Sequence, residues 1–267
     1  MYEDLGRPPL SEAALRRALA EDPVGLWRDV RVLAATESTN AVVAEAARAG
    51  ADEGLVVVAE HQTSGRGRLG RAWTSPPRAG LTVSVLLRPQ VTDPGEWGWL
   101  PLLTGLAAAG AVRAQAGLDA VVKWPNDVLV GERKLAGVLA EAVQPGAVVI
   151  GVGLNVTTRA DELPPDVAAT SLAIEDARTT DRSIVLRALL RALASTYDAW
   201  QIEPAPQRDA YRAICATLGT RVRLELPDGT SVTGVADDVD VDGRLVVDGT
   251  AYASADVIHL RTPDLGA

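Results

Sequence analysis

The pattern of apolar and polar positions divides this chain into two parts. Up to about residue 217, short apolar runs bounded by Gly, Pro and Asn alternate with longer segments of helical period. After Gly219 the pattern becomes strict alternation. Period-two alternation marks half-buried strands, and a 3.6-residue period marks helices. A first helix is predicted from Ser11 to about Ala20, with Ser11 as N-cap and Leu10 placed to staple against Leu15. The residues before Ser11 are predicted to fray. Residues 30–35 predict a short strand, and Thr39–Ala49 a helix stopped by Gly50. Gly54–Glu60 reads as a strand buried on both faces, and Leu81–Arg88 as another strand. Trp99–Ala116 is a long apolar helix that tolerates Pro101 in its first turn. Ala120–Trp124 is a strand, and Asp127–Val130 and Lys134–Glu141 flank Gly131-Glu-Arg133 as a hairpin. Val148–Leu154 adds a strand, and Ser183–Gln201 and Pro206–Ala216 add helices.

In the second part, Val222, Leu224 and Leu226 point one way, and turns are expected at Pro227-Asp-Gly229, Asp242-Gly243 and Asp248-Gly249. Four or five short strands in about forty residues predict a small β-barrel. The expected fold class is α+β: a mixed sheet backed by helices, then the barrel. The expected divisions are an N-terminal extension with one short helix (1–29), a catalytic unit (30–217) and the barrel (218–267).

Composition narrows the function classes. The 267 residues are 47% hydrophobic, enough for a sizeable core. Lys and Arg number 26 against 35 Asp and Glu, a net charge of −9, which opposes binding to nucleic acid. Cys215 is the only cysteine, and His61 and His259 are far apart, so neither a disulfide nor a zinc site is expected. The chain shows no signal-peptide pattern and no apolar run approaching ~20 residues, which predicts a cytoplasmic protein without a membrane span.

Against this acidic background, Gly65-Arg-Gly-Arg-Leu-Gly-Arg71 is a local cationic loop. Glycines allow the backbone close to a ligand, and arginines offer planar forks for phosphate or carboxylate. The string satisfies a dinucleotide fingerprint, but Pro76 and Pro77 follow where a helix should open. It has P-loop spacing, but Arg71-Ala72 stands where Lys-Ser/Thr is needed. An RGG-like nucleic-acid segment and a plain surface loop are the other readings. Asp238-x-Asp240-x-Asp242-Gly243 opens like a calcium loop but lacks the bidentate Glu, with Gly249 in its place, so a hairpin turn is expected instead.

Three further blocks give the loop a context: Glu37-Ser-Thr-Asn40, Lys123-Trp-Pro-Asn-Asp127 running on to Lys134-Leu-Ala-Gly137, and Gly151-Val-Gly-Leu-Asn155. The four blocks, in this order and spacing, resemble the biotin protein ligase family over roughly residues 30–261. The resemblance implies a class II synthetase-like catalytic domain followed by an SH3-like barrel. It implies that biotin and ATP form biotinyl-5′-adenylate with Mg²⁺, and that the biotinyl group passes to a lysine of a biotin carboxyl carrier domain of a carboxylase. No operator-binding module is expected in about thirty-five N-terminal residues, and a monomer or weak dimer is expected.

Residue by residue, the resemblance gives catalytic roles to Lys134, Arg68 and Lys123. It places biotin against Ser38, Thr39, Asn40, Gln62, Gly65, Arg66, Gly67, Arg68, Trp124, Lys134, Gly137 and Gly153. It places ATP against Arg66, Arg68, Arg71, Trp73, Lys123, Asn126, Lys134 and Asn155, with Asp127 as the metal ligand. The chemistry agrees: joining a carboxylate to a phosphate brings two anions together, so cations are the main need. Ser38, Thr39 and Gln62 are neutral and both donate and accept, which suits a ureido ring. Trp124 and the strand Leu135–Val138 would give apolar contact. Other readings stay open: Lys134 and Lys123 as solvated strand lysines, Ser38 as a helix cap, Asn126 and Asp127 as turn caps, Trp73 as core packing. Rival functions are a lipoate–protein ligase, a biotin-sensing regulator and an inactive adaptor.

Overall fold

The computed structural model describes residues 6–260 except 92, 144 and 145. Its first part contains α1 (Glu12–Ala20), β1 (Asp29–Leu33), α2 (Thr39–Arg48), β2 (Leu55–Ala59), β3 (Gly80–Leu87) and α3 (Trp99–Ala111). There follow β4 (Ala120–Lys123), β5 (Asp127–Val130), β6 (Arg133–Val143), β7 (Ala147–Asn155), α4 (Arg182–Ile202) and α5 (Pro204–Ala213). Its seven strands form one sheet in the order β1-β2-β3-β7-β6-β5-β4. Only β1 and β2 run parallel, so the sheet is mixed, as expected. Among the described residues no helix is long and apolar enough to cross a membrane.

The two faces of this sheet are covered unequally, and that inequality makes the site. On one face, Leu81, Val83, Val85 and Leu87 of β3 and Val148, Ile150, Val152 and Leu154 of β7 join the core with α1, α3 and α4. On the other face, α2 covers only one end, packing Val43, Ala44 and Ala47 on Leu55, Val57, Leu86 and Val149. Beyond α2 the same face carries Thr82 and Ser84 on β3, Gly151, Gly153 and Asn155 on β7, and Gly137 on β6. The register sets Thr82 beside Gly153 and Gly153 beside Gly137, so this end of the face is a floor without bulky side chains.

Several expectations are corrected in detail. The stretch before Ser11 is not frayed from residue 6 on. Arg7 pairs with Glu162 at 2.7 Å, and the Pro8 carbonyl accepts from Arg182 at 2.6 Å. Arg182 also pairs with Glu60 at 2.6 Å, both side chains under a tenth exposed. Charges so buried are held only when paired, so each anchors the strap. Ser11 does cap α1, its Oγ accepting from the Ala14 N–H at 3.3 Å. α3 passes into a π turn over Val112–Ala116 before Gly117 at φ 71°. α5 begins at Pro204, two residues early, because proline fits a helix's first turn.

The second part holds β8 (Arg221–Glu225), β9 (Ser231–Val239), β10 (Leu245–Val247), β11 (Thr250–Tyr252) and β12 (Asp256–His259). They pair antiparallel in the order β11-β10-β9-β8-β12. Among the described residues no strand pairing joins β11 to β12, the two edges of this sheet, so the five strands form an open sheet. Asp248 and Gly249, at φ 46° and 77°, make the tight turn between β10 and β11. The calcium-like sequence is a turn: the Asp240 carboxylate accepts the N–H groups of Asp242 and Arg244 and pairs with the Arg244 side chain at 2.7 Å.

Candidate active site

A cavity of about 440 Å³ lies on the uncovered end of the large sheet, closed on its far side by β8 and β12. Ligand sites of this size are ordinary. Ser38, Thr39 and Asn40, at the N-terminus of α2, line it together with Gln62, which follows β2. Ser38 stands at the N-cap position, but its side chain makes no capping hydrogen bond. Gln62 Oε1 accepts from the Thr39 backbone N–H at 2.7 Å.

Arg66, Gly67, Arg68 and Arg71 line the cavity from the loop between β2 and β3. This loop is docked on the second sheet: Arg68 donates to Ser254 Oγ at 2.8 Å, and Arg71 pairs with Asp256. Arg68 also reaches Asn126 Oδ1 at 3.5 Å. Burial lowers the Arg68 pKa, with Asp256 opposing and Arg71 adding to the shift. Gly65 does not line the cavity. Its carbonyl accepts from the Trp73 N–H at 2.9 Å, and a Cβ there would stand 2.3 Å from the Trp73 carbonyl. Its absent side chain closes the loop's base.

Lys123 ends β4 and Asp127 opens β5, with Trp124 and Asn126 in the turn between them, where the Trp124–Pro125 peptide is cis. Asn126 is fixed by two bonds to Val138, from its Nδ2 at 3.0 Å and to its carbonyl at 2.8 Å. Trp124 is buried, and its indole donates to the Gly243 carbonyl at 3.0 Å. Lys134 sits in β6, its backbone clamped on both sides by residues 168 and 170 at 2.8 and 2.9 Å. Its Nζ stands 2.6 Å from Asp127 Oδ1, each side chain about a quarter exposed. Burial lowers the Lys123 pKa, Asp127 opposing and Lys134 adding to the effect. Neither lysine is the freely solvated strand residue that was the other reading.

Trp73 lies flat on the glycine floor. A Cβ at Gly153 would come 2.3 Å from its ring, and one at Gly137 3.5 Å. Lys134 Nζ is 5.9 Å from the ring centroid, within cation–π reach. Asn155 lines the cavity but spends its amide on the Thr170 carbonyl at 2.9 Å, which anchors the segment that clamps Lys134. Leu135 does not form a wall: it is fully buried in the core, and Gly137, Val138 and Leu139 line the cavity instead.

Sequence reasoning missed Thr82, which lines the cavity. Polar residues at 82 and 84 within an otherwise apolar strand were the available signal. It also missed Glu225, Asp256 and Val257, brought from the second sheet, and Val167 and Ala169 from the segment after β7. No local pattern marks these.

The chain is similar to known proteins over nearly its whole length. Residues 32–155 match the model of the biotin/lipoate A/B protein ligase family. The chain is 46% identical over 264 residues to the biotin–acetyl-CoA-carboxylase ligase of Mycobacterium tuberculosis, covering 96% of this chain and 97% of that one. It is 31% identical over 249 residues to the bifunctional ligase/repressor BirA of Bacillus subtilis, covering 90% and 74%. The structure of the biotin protein ligase from Aquifex aeolicus in complex with biotin and ATP superposes with a TM-score of 0.73 at 26% identity, covering 88% of this chain and all of that one. The chain therefore belongs to the biotin protein ligase family.

Proposed function

We propose that the chain joins biotin to ATP as biotinyl-5′-adenylate and then transfers the biotinyl group to a lysine of a biotin carboxyl carrier domain. The observation that carries this reading is the convergence of opposite chemistries in one cavity. Five cations (Arg66, Arg68, Arg71, Lys123 and Lys134) meet a neutral donor–acceptor group (Ser38, Thr39, Asn40 and Gln62) across a glycine floor. The neutral group suits a ureido ring, and the cations suit a carboxylate meeting a triphosphate.

In the first step a biotin carboxylate oxygen attacks the α-phosphorus and pyrophosphate leaves. In this reading Lys134 holds the carboxylate and the attacked phosphate together, with Lys123, Asn126, Arg66, Arg68 and Arg71 on the phosphates. Trp73 offers a flat face for adenine, and Asn155 acts on the nucleotide side through the segment it anchors. Gly67, Gly137 and Gly153 allow close approach, Gly65 shapes the base of the loop, and Trp124 gives apolar contact. In the second step the acceptor amine attacks the acyl carbon and AMP leaves.

Mg²⁺ fits this site as a guest of the phosphates. One oxygen of Asp127 faces Lys134, which leaves the other carboxylate oxygen for a cation. Mg²⁺ commonly takes one or two carboxylates and completes its shell with water and substrate phosphates. When bound it would neutralise charge building on the leaving pyrophosphate.

The acceptor is read as docking along β6, whose residues 139–143 pair only with β7 among the described residues. Residues 218–267 are read as an SH3-like module beside a catalytic unit at 30–217, with 1–29 as an extension. The support is that β9 serves both ladders, pairing β8 through residues 231–235 and β10 through residues 236–239.

The test is pyrophosphate release from ATP by the purified protein with biotin or lipoate. Release with biotin alone is expected. Release with lipoate alone, or with neither acid, overturns the reading.

A further inference from the structure

The glycine-arginine loop carries one residue that the proposed chemistry does not use. Arg66 and Ala72 bridge as antiparallel partners, the Gly67 N–H donates to the Arg71 carbonyl at 2.7 Å, and the Arg71 N–H donates to the Arg68 carbonyl at 3.1 Å. Residues 66–72 are therefore a small hairpin with Leu69 and Gly70 at its tip. Both tip residues have positive φ, 54° and 74°. A type I′ hairpin turn requires this, and Asn-Gly is the sequence that suits it best. A leucine in that conformation crowds its Cβ against the following carbonyl oxygen. Leu69 is also 56% exposed. Position 69 thus combines a strained backbone with a wetted apolar side chain, and an asparagine would avoid both. Of the four non-glycine residues at positive φ among the described residues, Leu69 alone is apolar.

The leucine stands at the rim of the candidate active site. Arg68 and Arg71, on either side of it, line the cavity. Val167, another of the exposed large apolar side chains, lines the same cavity from the segment after β7. Arg68 also borders a groove of about 400 Å³ that reaches Leu139 and Ala140 of β6. Among the described residues these two pair only with β7. The hairpin tip, the groove and the open strand edge are thus continuous. An acid and a nucleotide fit inside the cavity, but an acceptor lysine is presented by a folded domain, whose surface must bear on this rim. Single exposed apolar side chains are ordinary. A strained one, placed where a protein must land, has a partner to meet.

We propose that Leu69 is a docking contact for the acceptor protein, packing on apolar surface beside the target lysine, with Val167 as a second contact on another wall. The proposal rests on the reading of this cavity as the site of biotinyl transfer.

The test is Leu69→Asn, which keeps the turn, because asparagine adopts positive φ readily, and removes the apolar contact. KM for a biotin carboxyl carrier domain should rise about tenfold with kcat nearly unchanged, the loss expected when a leucine contact is truncated. Biotin-dependent pyrophosphate exchange should stay within about twofold of wild type. So should capture of the adenylate by hydroxylamine, which gives the hydroxamate and AMP and is too small to need the rim. Leu69→Met keeps an apolar side chain of similar volume and should hold KM for the carrier domain within about twofold of wild type. A merely structural role would lower exchange and transfer alike, and that result would overturn the proposal by making Leu69 part of the loop's closure over the nucleotide. An unchanged KM for the carrier domain in Leu69→Asn overturns it too. So does a wild-type dimer that Leu69→Asn splits into monomers, since the partner is then a second copy of the chain. Wild-type protein that releases no pyrophosphate with biotin overturns the reading of the site beneath it.

Discussion

Removing the cation at Lys134 while keeping its apolar stem is the sharpest test of the mechanism, and Lys134→Met does this. The Nζ stands 2.6 Å from Asp127 Oδ1, and both side chains are about a quarter exposed. An oxyanion at ~4 Å from the same ammonium gains about 4 kcal/mol at an effective dielectric near 20. Losing one charge-stabilising donor ordinarily costs about 2.7–4 kcal/mol, or 10²–10³ in rate. The variant also leaves Asp127 unopposed beside incoming anions, so the loss should not fall below that range. Biotin-dependent exchange of pyrophosphate into ATP should therefore drop by about 10²–10³. A partly exposed ion pair adds at most about 1 kcal/mol of stability, so the melting temperature should fall by no more than about 2–4 °C. A folded Lys134→Met protein exchanging pyrophosphate within about threefold of wild type refutes the role.

Other parts of the structure make separate claims. Gly153→Ala would set a Cβ 2.3 Å from the Trp73 ring; the indole must leave the floor, which a shift in tryptophan emission reports, and adenylation should fall with it. Glu60→Gln removes one charge of the buried pair with Arg182, and should cost about 3–5 kcal/mol, read as loss of denaturant midpoint at unchanged m-value. Burial lowers the Lys123 pKa, so its charge is lost at lower pH than an ordinary lysine's. Wild-type adenylation should decline in that alkaline window, and Lys123→Arg should hold its rate further up; coincident profiles would remove Lys123 from the phosphate site. Stability carries the opposite sign there, rising with pH, because the unfolded chain still holds a proton that the folded chain has released. Arg68→Gly cuts the loop's bond to Ser254, and labelling of non-acceptor proteins by escaped adenylate should rise; labelling confined to the acceptor refutes the loop as a cover.

What the sequence showed and what it hid differ in the range of the forces involved. The strands of the large sheet were legible because Leu-Val-Val-Val-Ala at 55–59 and Val-Val-Ile at 148–150 can be satisfied only by burial. The glycines at 137, 151 and 153 were legible as places of close approach, though not what approaches them: Trp73 on one pair and Asn40 on the third. The strap at residues 6–10 was unreadable because its partners Glu60, Glu162 and Arg182 lie far along the chain. Ser38 looked like a cap from its position, and the absence of a capping bond appears only when the side chain is placed. Leu135 was misassigned because register slips between Val128 and Leu129, opposite this stretch of β6, so simple alternation fails there.

The contacts of the glycine-arginine loop with the second sheet show why charge alone could not give the site. Arg71 is mostly exposed and its partner Asp256 about a third exposed. A pair so wetted is worth little, roughly 0–1 kcal/mol. Arg68 lies deeper and rests on a neutral serine hydroxyl. The loop is therefore held by contacts weak enough for a triphosphate to replace, since arginine bonds phosphate more strongly than it bonds a hydroxyl. A loop fixed by a buried ion pair like Arg182 with Glu60 could not exchange partners at such small cost. The molecule uses its buried pair to hold the N-terminal strap and its wetter contacts to hold the loop over the candidate site, and the sequence presents both as the same arginines.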